Sequence, residues 1–275
     1  MSVKPPLTDL NIETAEGGFY DGFNQFVSVL SKVLIGLLIV WAAAFPEWAG
    51  AVLKGINGFL NAHFGAWYMY IMALYVVACF ALALWPATGR IKLGLPGEKP
   101  EFSNFSWFSM MFGAGIGIGM LTYSTAEPLY HFATNPDVIQ GHAEGGTESA
   151  VRSAYRWSFM HWGLSAWGCY AITGLVLAFF SYSRGLPLTI RSGLTPLFGK
   201  SLSGPLGHLI DVSAVLATIL GVSVTIGAGV SQFASGMFNI SGAGWMMDGE
   251  GAPTLAGMLF SLVIVMGAST LSAMS

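Results

Sequence analysis

Apolar residues run in six long blocks along the chain, and charged residues, Pro and Gly collect in the gaps between them. The blocks cover residues 27–45, 67–85, 105–126, 157–180, 209–238 and 255–275. Each is close to the roughly 20 apolar residues that a helix needs to cross a hydrocarbon core. Lipid offers no partner for an open strand edge, and no alternation of period two suggests a barrel, so all six are predicted to be helices.

Composition agrees. Hydrophobic residues make up 54% of the 275 and charged residues only 9%, too few to coat a water-soluble globule of this length. The net charge of -3, with Lys and Arg scattered singly, excludes the basic field that nucleic acid requires. Cys79 and Cys169 form no CxxC pair and read as small buried apolar residues, so neither zinc nor a disulfide framework is indicated. The first 26 residues carry Asp9, Glu13, Glu16 and Asp21 and do not resemble a signal peptide; they read as a soluble tail.

Basic residues orient the segments. Arg90, Lys92 and Lys99 lie between the second and third, and Arg184, Arg191 and Lys200 between the fourth and fifth; the other loops are poorer in them. Both basic loops, and with them the N-terminus, are expected on the cytoplasmic side. Part of residues 127–155 is expected as an amphipathic stretch at the outer surface. The chain stops at Ser275 beside an apolar helix without a polar tail, as a fragment would, though a six-helix protein is the other reading.

Two constellations bear on chemistry. In FGAGIGIGM, Gly113, Gly115, Gly117 and Gly119 alternate inside the third segment. Each interior Gly weakens a helix by about 1 kcal/mol relative to Ala, so this helix is expected to unwind. A break at mid-membrane leaves N–H groups suited to a carboxylate and carbonyls suited to a sodium ion. The alternative is close helix packing, since Gly113 with Gly117 and Gly115 with Gly119 both fit GxxxG. In the fourth segment, Trp162, Trp167 and Tyr170 fall at about 0°, 140° and 80° on a regular helix, one broad face able to hold an onium group through cation–π attraction. An interfacial aromatic belt is the alternative, and Trp157, on another face, reads as such a belt residue. Glu127, followed by Pro128, is expected to end the third segment at the outer mouth. His161 reads as a packing residue, and Thr218, Ser223 and Thr225 offer hydroxyls either to a cation or to neighbouring backbone.

MMFGAGIGIGM followed by AEPLYHF, then HWGLSAWGCY, and the closing STLSAMS resemble, in order, the third, fourth and sixth helices of the betaine/choline/carnitine transporter family. The resemblance implies an all-α polytopic membrane protein of the leucine-transporter-like inverted-repeat fold, here truncated after about six of twelve helices. Residues 1–26 would be a cytoplasmic tail, 27–100 two leading helices and 101–275 an incomplete first repeat. It further implies that Trp162, Trp167 and Tyr170 form an aromatic box, that Gly115, Gly117 and Gly119 line the substrate, and that the carbonyls of Gly113 and Ile116 ligate sodium. A second sodium site uses two threonines a turn apart; Thr218 matches one, but Val222 stands at the other. A homotrimer in a bacterial plasma membrane, with no catalytic residue, follows from the same likeness.

No Asp interrupts the glycine run, which suits a zwitterion bringing its own carboxylate: glycine betaine, carnitine, dimethylsulfoniopropionate or a similar solute. Sodium is preferred to protons as coupling ion because no buried carboxylate is apparent. A choline importer or a sodium-independent exchanger of the same family is the alternative. GLSAW around Ser165 resembles in part the serine motif of rhomboid-type intramembrane proteases, but Ala166 replaces its second glycine and the only later histidine, His208, lies near a helix end.

Overall fold

The computed structural model describes residues 9–115 and 117–274, and among those residues the regular structure is helical apart from two isolated bridges. Among the described residues four helices are long and apolar enough to cross a membrane: Gln25–Ala44 (α1), Pro46–Leu84 (α2), the run Glu148–Ser183 and Pro205–Ser241. The chain divides into two compact units, one of residues 1–99 with 159–217 and one of residues 100–158 with 218–275.

In the first unit, the Asn24 side chain accepts from Val27 N–H at 2.9 Å and caps α1. The helix ends at Phe45 because Pro46 has no N–H to continue it, and Pro46 at once opens α2. α2 has 39 residues, so the gap expected around Lys54 is helix instead. Its Gly, Asn and His lower the local hydropathy but leave helical geometry intact. The run Glu148–Ser183 consists of Glu148–Met160 (α6), a wide π turn at His161–Ser165, Ala166–Ala178 (α7) and a second π turn at Phe179–Ser183. α7 lies closely on α2: a Cβ on Gly168 would stand 3.1 Å from Val76 Cγ2, and the Cys79 thiol points at Gly168 O at 3.5 Å. Both cysteines are free and half-buried.

Two one-turn helices, Ile190–Gly193 (α8) and Thr195–Phe198 (α9), follow, then the 3-10 turn Gly199–Ser203 and Pro205–Ser241 (α10). Arg191, expected in a solvated loop, is wholly buried here, and Asp211 nearly so. The tail is not detached: Asn11 N–H donates to Ser203 Oγ at 3.1 Å, and Lys32 Nζ stands 4.5 Å from the Tyr20 ring centre and 5.0 Å from that of Phe19.

The second unit holds Asn104–Gly115 (α3), Ile118–Ala133 (α4), Pro136–Ile139 (α5), most of α6, the later part of α10 and Leu255–Met274 (α11). α4 runs through Pro128, so Glu127 does not end a helix; it is buried, with Oε1 3.4 Å from His131 Nε2. Pro at this position removes one N–H without stopping the chain. Buried Asn135 caps α5, accepting from Asp137 N–H at 2.9 Å and donating to Ser153 Oγ at 3.1 Å. α6 buries Ala150, Ser153, Ala154 and Ser158, the helical spacing of one amphipathic face.

Candidate functional site: a broken helix and an aromatic segment

The glycine run does break its helix. α3 ends at Gly115 and α4 starts at Ile118, with Gly117 between them in extended conformation at φ -85° and ψ 173°. Leu121 N–H donates to Gly117 O at 3.1 Å, closing the first turn, and no side chain caps this end. A helix start leaves the amides of its first residues without a carbonyl one turn behind, here those of Ile118, Gly119 and Met120. Gly113 lies in the last turn of α3, where carbonyls likewise lack helical donors. The break thus presents partial positive charge on one side and partial negative charge on the other. Gly113, Gly115, Gly117 and Gly119 all sit at or within one turn of it; Ile116 lies outside the described residues. A Cβ built on Gly113 or Gly117 would meet no atom within 4 Å, so close packing within this unit does not require either glycine.

The aromatic residues belong to the first unit. Gly163 has φ -86° and ψ -134°, outside the helical region, within the π turn His161–Ser165. A regular count of 100° per residue therefore does not carry from Trp162 across to Trp167, and the face predicted from it is corrected. π turns insert an extra residue per turn and often re-aim side chains. Beyond the kink, Trp167 and Tyr170 come together, ring centres 5.9 Å apart at 43°, and both are exposed, Tyr170 by 72%. Before it, Trp162 is half-buried with the His161 ring 5.1 Å away.

Thr218 sits in the middle of α10 with Val222 one turn on. Ser223 and Thr225 bond back to Ile219 O and Gly221 O at 2.7 and 3.2 Å, the backbone option for membrane hydroxyls. Among the described residues no group of three His, Cys, Asp or Glu could hold a metal. Glu127 and Asp211 are both buried, which corrects the expectation that no buried carboxylate exists. A cleft of about 440 Å³ in the first unit is lined by Asn11, Glu13, Asn24, Ser203 and His208 and contains none of the predicted site residues.

Trp157 is more than a belt residue. Its indole N–H donates to Asp137 Oδ2 at 2.6 Å, and Arg156 bonds the same oxygen. The Arg156 hydrogen bond first, and then that of Trp157, hold the Asp137 carboxyl below its ordinary value. Hydropathy could not reveal this clip, because it joins residues 20 apart across a turn. Asp211 was more visible: it is the one acidic residue in the 37 of α10, and an acid inside an apolar helix calls for a partner.

The model of the betaine/carnitine/choline family of transporters matches residues 26–275. A "Probable glycine betaine transporter" of Desulfitobacterium hafniense is 40% identical over 216 residues, 78% of this chain and 42% of that protein. The glycine betaine transporter OpuD of Bacillus subtilis is 41% identical over 72% of this chain and 38% of its own length. An osmo-dependent choline transporter of Acinetobacter baylyi is 40% identical over 79% of this chain and 31% of its own length. The chain spans less than half the length of these relatives.

Proposed function

The chain belongs to the betaine/carnitine/choline transporter family, and from that premise we propose that it forms part of a secondary transporter that imports a small zwitterionic quaternary-ammonium or sulfonium solute by alternating access. One observation supports this above others: Gly117 is extended and, as an N-cap without a side chain, supplies no cap to the first amides of the half-helix that follows. Such an end attracts a carboxylate, which glycine betaine carries and choline lacks. Trp162, Trp167 and Tyr170 are the proposed partners of an onium head.

Sodium is the proposed coupling ion. The carbonyls of Gly113 and Ile116 would be its hard oxygen donors, and Thr218 would belong to a second sodium site whose other threonine is replaced here by Val222. Buried Glu127 makes a proton the competing choice. In the membrane, the N-terminus would be cytoplasmic and the segments would follow the leucine-transporter-like order, with 27–100 leading and 101–275 opening the first repeat.

A choline importer is the second reading, favoured by the 40% identity to a choline transporter. Cells lacking their own betaine and choline uptake, expressing the complete gene, separate the readings. Saturable uptake of labelled glycine betaine that requires sodium is the expected result. Preference for choline overturns the zwitterion assignment, and uptake driven by a proton gradient without sodium overturns the coupling.

A further inference from the structure

Thr122 is the fifth residue of α4, immediately beyond the turn that starts at the break. On α10, 110 residues later, Gln232 donates from Nε2 to Thr122 Oγ1 at 2.6 Å, and both lie in the second unit. Of the hydroxyls around Gln232, Ser241 bonds Met237 O at 2.6 Å, and Ser235 bonds Ser231 O at 3.0 Å and the Met247 sulfur at 3.8 Å. Gln232 instead reaches a neighbouring helix. A polar side chain that bonds from one apolar helix to another links the two in a defined register.

What it holds is the start of α4. The half-helix follows Gly117, an N-cap with no side chain to bond the first amides. We infer that Gln232 is a positioning residue: through Thr122 it sets the register of the first turns of α4 and so aims the amides of Ile118, Gly119 and Met120 at the break. It acts through Thr122 and touches no solute. The inference deepens the substrate reading above and rests on it for its consequence in transport.

The test uses the full-length protein in lipid nanodiscs, with Gln232→Leu, Thr122→Val, both together, and Thr122→Ser, which keeps the hydroxyl. Hydrogen–deuterium exchange is followed on peptides covering 117–122. Gln232→Leu and Thr122→Val should each raise exchange there about tenfold, as the loss of one hydrogen bond implies. The double variant should go no further than either single, Thr122→Ser should match the unsubstituted protein, and peptides from α11 should not change. In uptake, the same variants should raise KM for glycine betaine about tenfold with kcat nearly unchanged. Unaltered exchange in Thr122→Val, or additive effects in the double variant, overturns the inference. If Gln232→Leu fails to insert, Thr122→Val against Thr122→Ser decides alone. Exchange that behaves as expected in a protein that takes up no betaine upholds the positioning role and overturns the substrate reading instead.

Discussion

Arg191 is wholly buried and donates from Nε to Asp211 Oδ2 at 2.6 Å. Its backbone N–H reaches Asp211 Oδ1 at 3.3 Å, one terminal nitrogen reaches Leu202 O at 3.2 Å, and the other meets His208 Nδ1 at 3.1 Å. The guanidinium is thereby shared among α8, the 3-10 turn and the start of α10. Gly207 completes the arrangement, since a Cβ there would collide with the Leu202 carbonyl and stand 2.9 Å from Arg191.

Breaking this pair should be worse than deleting it. Arg191→Met or Asp211→Leu alone leaves one buried charge without its counter-ion, a loss of about 3–5 kcal/mol, whereas the double variant removes both charges. Thermal unfolding of the solubilised protein should show two strongly destabilised single variants and a double variant closer to the parent. A double variant as unstable as the worse single would mean that Leu202 and His208, rather than the ion pair, depend on the guanidinium.

The Asp137 clip should be acid-sensitive. Its folded carboxyl titrates below the unfolded value, so the unfolded chain takes up the proton first and acid favours unfolding. The contribution is complete above about pH 5 and is lost as pH falls through the usual carboxylate range and below. Melting followed from pH 7 to pH 3 should show this acid-side loss, and Asp137→Asn should lack it while being less stable at neutral pH.

Gly117 should be required for space and not for backbone conformation. Its φ of -85° is open to any residue, and a Cβ there meets nothing within 4 Å. Gly117→Ala and Gly117→Phe should therefore both insert and melt like the parent, while Gly117→Phe abolishes betaine uptake by filling the break. Normal uptake by Gly117→Phe would remove the solute from this position.

The aromatic residues should act through their π faces. Trp162→Leu, Trp167→Leu and Tyr170→Leu should each weaken apparent affinity about tenfold, roughly 1.4 kcal/mol of cation–π energy, and aromatic swaps should be milder. Trp157→Leu is the contrast, because it breaks a hydrogen bond to Asp137 and should lower stability while leaving affinity unchanged. Equal modest effects from all four substitutions, measured by competition uptake, would dissolve the box.

Much was legible in the linear sequence because it depends on what each short stretch can do alone. Six apolar blocks dictate helices, since lipid tolerates no unpaired backbone. Four glycines in seven residues weaken the helix where α3 gives way to α4, and Pro46 dictates where α1 stops. The family, too, could be read from ordered motifs between 110 and 275. Tertiary structure decided everything that depends on which distant residues meet. Arg191 looked like a solvated topology marker until Asp211, 20 residues on, buried it; Trp157 looked like a belt residue until Asp137 accepted its N–H; Gln232 was silent until Thr122 came within 2.6 Å. The kink at Gly163 is of the same kind, for glycine permits a non-helical ψ without demanding it, and the packing around it makes the choice. Local propensity is a property of the chain, whereas a partner exists only once the helices have packed.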